Sequence, residues 1–474
     1  MRLYALLFAI GLVVYGLVAW DRIGRQSSAP HFVLQADAWL HGETAIATPK
    51  GGDDWAKVET VVLDDGSEVR GRRLRSRPVF RAFGGDEIAV SRIKSSRGAQ
   101  TYVSFPPFPA VLMLPGALIA GKGANDVIPT LIIAALILPL TLLLLRRLVS
   151  AQLSTRTLTD DLWLVATLAF GSVLFFSAVQ GKVWFTAHVV GVALALVYAW
   201  ASIEARHPII AGLALGAAAL TRTPMAFMFP LFLFEVWRMA SRKVSDDTVA
   251  KLGEGEPEAS ASGRMNLRAG KAAVRRAMVQ PLVRFALPVA AFAIAGALYN
   301  YVRFGSFTEF GHSFLDVRQQ AQIEQFGLAS TKYLGRNLAV ALALLPEPLP
   351  RAPWFQISGH GLALWFTTPL LLTLLRPRDK TALSLPLYVT FALVALPSLL
   401  YQNSGWVQFG YRFSLDYMVF LVMLLAVGGR PLRTFSKALI GFGIVVNLFG
   451  AVTFDRNWAY YRVGGNAYDV VVPH

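Results

Sequence analysis

Apolar segments separated by polar ones recur along most of this chain. The first, residues 3–20, follows a single arginine and ends at Asp21 and Arg22 without an A-x-A cleavage site, so we interpret it as a retained helix. With it, about twelve segments are candidates for membrane-spanning helices, although several are shorter than the roughly 20 residues that a bilayer requires. The later segments are residues 105–121, 127–145, 162–179, 183–200, 208–220, 225–237, 285–304, 362–375, 382–400, 413–428 and 438–452.

A polar segment, residues 21–104, follows the first apolar run and is predicted to fold as a small α/β domain. Residues 29–42 carry apolar side chains at helical spacing, which predicts an amphipathic helix at the membrane interface. Residues 58–63 and 68–72 flank an Asp-Asp-Gly-Ser turn, the pattern of a β-hairpin, and residues 82–93 indicate a further β segment. The apolar side chains of the helix are Phe32, Ala36, Trp39 and Leu40.

The composition places the apolar segments in a bilayer. Of the 474 residues, 55% are hydrophobic and 16% are charged, and the mean hydropathy is +0.49, which is not typical of a water-soluble protein. The net charge of +16 indicates basic cytoplasmic loops, so nucleic acid is not inferred as a partner. The chain has no cysteine, which excludes disulfides, thiolate metal sites and a cysteine nucleophile.

The short loops set the predicted orientation, because lysine and arginine collect in cytoplasmic loops. Basic residues concentrate at 146–156, 376–380 and 430–437, which we therefore place in the cytoplasm. Segment 238–284 has ten Lys and Arg against five Asp and Glu and contains a run of Gly, Glu and Ser, so it is predicted to be a partly disordered cytoplasmic linker. The opposite side then holds residues 305–361, 401–412 and the tail 453–474.

The number of apolar segments and the charge rule disagree, and residues 105–121 offer one explanation. If all twelve segments crossed once, the first polar domain and the arginines at 146–147 would lie on the same side, against the charge rule. Segment 105–121 holds four prolines, so one solution is that it enters the membrane and returns. The other solution is that one of the short segments around 221–224 is not a full crossing.

Asp37 is the first candidate for catalysis. It lies shortly after the first span, in a loop against the membrane surface, where a carboxylate can act as a base toward a hydroxyl or amine arriving from water. The alternative is a solvated acid with no further role. Asp53, Asp54 and Asp86 could provide a second acid, and Asp54 and Asp86 are candidates for substrate binding.

Two arginines are candidates for binding an anion. Arg222 interrupts two apolar stretches, and a guanidinium at membrane depth costs several kcal/mol unless it is paired or hydrated. A helix break could present Arg222 to a lipid-linked phosphate, whereas the alternative is a hairpin tip that is not buried. Arg412 begins another span with Asp416 at i+4, so a local ion pair and a second cation at a cavity mouth both remain open.

One pair of residues is a candidate for binding a cofactor. Glu309 and His312 are spaced i and i+3 and could share a divalent metal, but two ligands are a weak pattern, and structural or solvated roles are the alternative. The sequence contains no Gly-rich phosphate loop, HExxH or GxSxG motif, so nucleotide chemistry of the familiar kinds has no support.

Several motifs, taken in order, resemble the GT-C glycosyltransferase superfamily. The likeness extends over residues 3–452 and implies an all-α polytopic membrane protein with about 11–12 hydrophobic segments. The motifs are an external amphipathic helix with an acid at 35–42, a Pro-rich entry into the membrane at 102–109, a helix break with a basic residue at 212–224, and the segments 300–306 and 410–413. The implied organisation is a first span at 1–20, an extracytoplasmic loop at 21–104, a bundle at 105–237, the linker at 238–284, a second bundle at 285–452 with an external loop at 305–361, and an external tail at 453–474.

The resemblance implies an inverting membrane glycosyltransferase of the bacterial inner membrane and cell envelope. Such an enzyme moves a sugar from a polyprenyl-phosphate donor to a glycan, lipid or protein acceptor outside the cytoplasm. By this likeness Asp37 is the base that activates the acceptor, and Arg222 and Arg412 hold the donor phosphate. The chain departs from the pattern at Ser104, where relatives have a charged residue, and beside Asp37, which has alanine neighbours in place of a second acid.

Two other functions stay open. A transporter or flippase for lipid-linked saccharides would also need a hydrated arginine and an amphipathic gate, and it should show paired repeats with matching broken helices. We see no second copy of the break at 221–224 in the sequence. A non-catalytic scaffold of the cell envelope is the other alternative.

Overall fold

The structure is a computed structural model, and it describes residues 1–49, 54–253, 263–315, 317, 319–464, 467–469 and 471. The helices are α1 (Arg2–Val18), α2 (His31–Leu40), α3 (Phe108–Ala120), α4 (Val127–Ser150), α5 (Leu158–Ala169), α6 (Leu174–Ala178), α7 (Val183–Ser202), α8 (Pro208–Ala219), α9 (Pro230–Gly253), α10 (Gly263–Phe304), α11 (Gln320–Phe326), α12 (Leu334–Leu342), α13 (Leu364–Thr367), α14 (Ser384–Leu399), α15 (Met418–Val427) and α16 (Thr434–Thr453). The strands are β1 (Trp55–Leu63), β2 (Glu68–Arg73), β3 (Val79–Ala82), β4 (Glu87–Ala89), β5 (Ile93–Val103), β6 (Glu347–Pro348), β7 (Phe355–Ser358) and β8 (Tyr461–Arg462).

Most helices run between two ends of one bundle. At the first end, which we call the sheet end, hydrogen bonds join loops that are distant in sequence. Arg22 follows α1 and donates to the carbonyls of Val179 and Phe454, both at 2.9 Å. The amide of Phe108, at the start of α3, donates to the carbonyl of Leu220 at 2.8 Å. The ends of α1, α6 and α16 therefore lie together. The start of α3 and the end of α8 belong to the same end, because Ser104 donates to the carbonyl of Asp54, whose carboxylate accepts from Trp184 at the start of α7.

The second end, which we call the arginine end, collects the short basic loops. Arg156 donates to the carbonyl of Leu425 at 2.6 Å, which joins the loop after α4 to the end of α15. The amide of Arg378 donates to the carbonyl of Gly428 at 3.0 Å, which brings in the loop before α14. The basic loops that the sequence assigned to one side thus share one end of the bundle.

Helix α3 begins and ends at the sheet end. It starts beside Leu220, and the carbonyls of Lys122 and Ala124, just after its end, accept hydrogen bonds from Gln26 Nε2 at 2.8 and 2.7 Å. Segment 105–121 therefore does not pass between the two ends, which is the first of the two solutions offered above. Without it, eleven segments of the described chain run from one end of the bundle to the other. With this number, residues 146–147 lie at the arginine end, in agreement with the charge rule.

Only some of these passages are single long helices. Four helical segments of the described chain are long and apolar enough to cross a membrane by length and composition: Val127–Ser150, Val183–Ala205, Gly270–Phe304 and Thr434–Thr453. Several predicted segments are broken instead. The run 162–179 divides into α5 and α6, and 3₁₀ turns at Thr223–Met228, Pro369–Leu375 and Arg412–Asp416 replace parts of other runs.

The first polar domain contains the predicted hairpin. Strands β1 and β2 pair antiparallel with Val62 opposite Glu68, and β3 to β5 complete a five-stranded sheet in the order β4-β3-β2-β1-β5. The predicted amphipathic helix is α2, but it is not a helix with one buried side. Its residues from His31 to Ala36 are all buried, partly against α3, whereas Leu40, which was predicted to belong to the apolar face, is 40% exposed.

Two features differ from the sequence-based expectation. A second sheet, in the order β6-β7-β8, joins the loop 305–361 to the tail, and nothing in the hydrophobic pattern predicted its short strands. Segment 238–284, predicted to be a partly disordered linker, is helical wherever it is described: α9 continues to Gly253, and α10 begins at Gly263. The rest of its Gly-, Glu- and Ser-rich run lies outside the described residues.

Helices α8 and α10 pack closely through two glycines. A Cβ atom added at Gly212 would lie 2.3 Å from the carbonyl oxygen of Phe285, and one at Gly216 would lie 2.5 Å from the ring of Phe292. Small residues let two helix backbones approach each other, which is how helices associate in an apolar medium. The close approach positions the end of α8, and with it the break that carries Arg222.

We expect Gly212→Ala to lower stability by about 1–3 kcal/mol, because the new methyl group meets a backbone carbonyl that cannot turn away. The measurement is the midpoint of thermal unfolding in detergent. Gly441→Ala on α16 is the matched control, since its added Cβ meets nothing within 4 Å. The close-packing interpretation is wrong if both variants unfold at the wild-type temperature.

Candidate active site

The first turns of α7 carry three side chains that each contact a charged residue. The contacts are Trp184 with Asp54, Phe185 with Arg412, and His188 with Asp416. Residues 184 and 188 are one turn apart and residue 185 follows directly, so the three side chains lie within about 100° on one side of the helix. This side of α7, at the sheet end, brings together residues from the first polar domain and from the 3₁₀ turn before α15.

Asp416 is the partner of Arg222 and not of Arg412. Arg222 Nε and Nη2 donate to Asp416 Oδ1 and Oδ2, both at 2.8 Å, and the Asp416 side chain is only 1% exposed. His188 Nδ1 lies 3.2 Å from Asp416 Oδ1. The local Arg412–Asp416 ion pair considered from the sequence is therefore wrong, because a side-on pair with Arg222 engages both carboxylate oxygens.

Arg412 is a buried cation that is held mainly by dipoles. The residue is 6% exposed, and its Nη1 donates to the carbonyls of Gly405 and Val407. Among the described residues, its Nε has no hydrogen-bond acceptor, and no carboxylate lies within ion-pair distance of the guanidinium. The guanidinium also lies 5.4 Å from the ring centroids of Phe185 and Phe413. A buried guanidinium without a carboxylate partner is a ready binding group for an anion.

Asp54 stands at the start of β1 and faces α7. Trp184 Nε1 donates to Asp54 Oδ2 at 2.7 Å, and Ser104 Oγ donates to the Asp54 carbonyl at 3.1 Å. The next residue, Trp55, is buried and stacks on the His31 ring at a centroid distance of 3.9 Å. These contacts fix a half-buried carboxylate at the same side of α7 that contacts Arg412.

The structure does not bring Asp37 to this group. His31 stacks on Trp55, the residue that follows Asp54. Asp37 lies about 120° around the axis of α2 from His31 and therefore on a different side of this helix. Its carboxylate, 21% exposed, lies 4.0 Å from His41 Nδ1, and a Cβ added at Gly121 would lie 3.3 Å from Asp37 Oδ1. Its described contacts are thus with the end of α2 and the turn after α3.

The other predicted acids are also separate from the group. Asp86 is exposed in the turn between β3 and β4, at the sheet edge opposite β5. Asp53 lies outside the described residues. Of the predicted substrate-binding residues, the structure therefore brings together Asp54, Arg222 and Arg412.

The suggested metal pair has another role in this structure. Glu309 Oε1 accepts hydrogen bonds from the amides of Gly311 and Ser313, at 2.6 and 3.3 Å, and so stabilises its own loop. The His312 ring lies 6.3 Å from that of Tyr401. Within the described ranges, no group of three or more His, Cys, Asp or Glu residues is arranged to hold a metal ion.

Comparisons with known proteins give similarity at the level of the fold. No protein-family model matches this chain, and no curated protein matches it. Solved structures of an oligosaccharyltransferase from Archaeoglobus fulgidus are similar over 97% of this chain, with 12–13% identity and TM-scores of 0.39–0.41.

Three solved forms of this archaeal enzyme are among the similar structures. They are an apo form, a form tethered to an acceptor peptide that contains the NVT sequon, and a complex with an inhibitory peptide and a dolichol-phosphate. Our chain spans 56% of the length of that enzyme. At this identity the chemistry has to be inferred from the residues of our chain.

Sequence reasoning missed the parts of the site that depend on long-range contacts. No site role was predicted for Trp184 or His188, and Asp416 was considered only as a local partner of Arg412. A signal was present, because His188 and Asp416 are polar residues inside apolar runs, where an ionisable side chain usually marks a functional site. Their partner Arg222 is 194 residues from Asp416, and no local pattern indicates such a pair.

Two histidines at the sheet end predict a pH dependence of stability. Burial is the main cause that lowers the pKa of His31 and of His360 from 6.5 to about 4. Between these values the unfolded chain binds protons that the folded chain does not, so stability is complete above about pH 6.5 and falls as the pH decreases toward 4. At pH 5 each histidine should cost about 2 kcal/mol of stability.

The measurement is the unfolding midpoint in detergent at pH 7 and at pH 5. We expect a lower midpoint at pH 5, and a smaller decrease for His31→Phe, because this variant removes one of the groups that bind protons on unfolding. An equal decrease for wild type and variant would contradict the assignment of a neutral, buried His31.

Proposed function

We propose that this protein is a membrane glycosyltransferase that transfers a sugar from a polyprenyl-phosphate donor to an acceptor at the sheet end. The observation that carries the proposal is the environment of Arg412. Its guanidinium is buried, its Nε has no acceptor among the described residues, and the nearby carboxylate of Asp416 is engaged by Arg222. An anion from outside the chain would complete this arrangement, and a phosphate on a lipid carrier fits a cation at the end of an apolar bundle.

The site also contains a base for the acceptor. In the proposed step Asp54 takes the proton from an acceptor hydroxyl or amine, the acceptor atom bonds to the anomeric carbon, and the bond from that carbon to the phosphate oxygen breaks. Polyprenyl phosphate leaves with the bonding electrons, and Arg412 stabilises its developing charge. A single displacement of this kind inverts the anomeric centre.

The proposal replaces Asp37 by Asp54 as the base. The resemblance assigned this role to Asp37, but Asp54 is the acid that shares the side of α7 with Arg412. Trp184 donates to the Asp54 carboxylate at 2.7 Å, whereas the Asp37 carboxylate lies 4.0 Å from Nδ1 of the exposed His41. The two assignments therefore predict different results when each aspartate is replaced by asparagine.

We further propose that the bundle spans a membrane with its arginine end in the cytoplasm. The four long apolar helices and the collection of the basic loops at one end support this orientation. With eleven passages through the membrane, the proposal has the sheet domain, the loop 305–361 and Asp54 on the outer side. In this position a lipid donor can enter from the bilayer and a polar acceptor from water. The bacterial inner membrane is the proposed location.

The test is a transfer assay with the whole protein in lipid nanodiscs. Hexosyl and pentosyl polyprenyl phosphates are supplied with a cell-envelope extract as the acceptor source, and the release of polyprenyl phosphate is measured by mass spectrometry. We expect release that depends on the acceptor. A flippase would move the donor across liposomes without cleaving it, and a scaffold would do neither, so intact donor in every reaction would contradict the proposal.

A further inference from the structure

The side chain of Arg222 has two edges in different surroundings. Its Nε and Nη2 atoms form the edge that Asp416 occupies, with both contacts at 2.8 Å. For Nη1, no acceptor is found among the residues that the structure describes, and the side chain keeps 16% of its exposure. One edge is thus fixed by protein, and the other is available at the sheet end.

Asp416 is in turn held from the other side. His188 Nδ1 lies 3.2 Å from Asp416 Oδ1, and both side chains are almost fully buried, at 0% and 1% exposure. The three residues come from α7, from the break after α8 and from the 3₁₀ turn before α15. They therefore join three elements of the bundle through one buried polar group.

We propose that Asp416 is a positioning residue for Arg222. By holding the Nε and Nη2 edge, it directs Nη1 toward the position where Arg412 would bind the donor phosphate, so that the phosphate is contacted from two sides. The inference rests on the proposed function, because it names a further residue for the same site. Asp416 itself does not touch the substrate.

The ring of Phe413 supports this arrangement. It lies 5.2 Å from the guanidinium carbon of Arg222 and 5.4 Å from that of Arg412, so one ring contacts both cations. Two guanidinium groups near one ring repel each other, and Asp416 offsets the charge of only one. Arg412 then keeps its charge for the ligand, while Arg222 contributes mainly directed hydrogen bonds.

The experiment measures the binding of undecaprenyl phosphate to the whole protein in nanodiscs, together with transfer. We expect Asp416→Asn to weaken binding about tenfold and to lower kcat, because the released Arg222 side chain no longer holds one orientation. Asp416→Glu, which can re-form the pair, should recover part of both. In combination with Arg222→Gln, the substitution of Asp416 should add no further loss, since both act through one guanidinium.

A charge exchange separates positioning from a merely structural ion pair. The double variant Arg222→Asp/Asp416→Arg restores the pair, so its unfolding midpoint should exceed that of Asp416→Asn, but it removes the cation from position 222 and should bind the lipid phosphate no better. Wild-type binding by the exchanged variant, or by Asp416→Asn, would overturn the proposal. If the exchanged variant does not fold, the additivity of Asp416→Asn and Arg222→Gln decides.

A failure of the proposed function looks different. In that case Asp54→Asn retains transfer, or the wild type shows none, while the binding of undecaprenyl phosphate can still respond to Asp416. If only the positioning role is wrong, Asp54→Asn loses transfer and Asp416→Asn binds the lipid as the wild type does.

Discussion

Replacing Asp54 by Asn should reduce sugar transfer by about 10³-fold, while the protein still binds polyprenyl phosphate. The amide keeps the size of the side chain and can still accept the hydrogen bond from Trp184 that the structure shows at 2.7 Å. It cannot take a proton from the acceptor, so the loss should appear in kcat more than in the binding of the donor. The measurement is the initial rate of polyprenyl phosphate release at saturating donor.

Asp37→Asn is the matched control for this prediction. Both aspartates belong to the first polar domain, and both are partly exposed, but only Asp54 contacts α7. We expect Asp37→Asn to keep transfer within about tenfold of the wild type. If Asp37→Asn removes transfer and Asp54→Asn does not, the base is the residue that the motif resemblance named, and our assignment from the geometry is wrong.

Replacing Arg412 by Gln should reduce kcat/KM by about 10²–10³-fold without destabilising the protein. The catalytic loss follows because the phosphate of the leaving group loses a cation in a buried site. The stability prediction is unusual for a buried residue. Removing one member of a buried ion pair normally destabilises a protein, because the other charge stays buried without a partner. Among the described residues, Arg412 has no carboxylate partner at ion-pair distance. Its substitution therefore leaves no charge unpaired, and it removes the cost of burying the guanidinium charge.

The comparison variant is Arg303→Gln. Arg303 is 1% exposed, and it donates to the carbonyl of Val103 at 2.7 Å and to Asn300 Oδ1 at 2.9 Å, with its guanidinium over the ring of Tyr299. We expect this variant to unfold at a lower temperature, but to keep transfer per folded molecule. If Arg412→Gln unfolds as early as Arg303→Gln and keeps its specific activity, Arg412 is a structural residue.

The positions of apolar and basic residues predicted a large part of the fold. The apolar runs marked most helices, and the basic loops correctly indicated which loops share one end. The hairpin at β1 and β2 was predicted from four turn residues, because a tight turn is a local property of the chain. The sequence left open whether segment 105–121 runs through the bundle. The structure shows that α3 begins and ends at the same end, because of tertiary contacts with Gln26 and Leu220 that no local pattern indicates.

The site was less predictable because its contacts are distant in sequence. Arg222 was recognised as a cation that needs an anion, but its partner Asp416 lies on a different helix, and the local i+4 spacing suggested Arg412 instead. Asp54 was one acid among several in a polar domain. Only its position at the start of β1, beside Trp184 of α7, distinguishes it from Asp37 and Asp86.

The most direct test is to locate the phosphate of a bound lipid carrier. A cryo-electron microscopy structure of the protein in nanodiscs with undecaprenyl phosphate would show it. We expect the phosphate at the sheet end, within hydrogen-bonding distance of Arg412 Nε and Arg222 Nη1, and with Asp54 facing the side from which an acceptor would approach. A phosphate at the arginine end, beside Arg156, would contradict the account, since Asp54, Arg222 and Arg412 all lie at the sheet end.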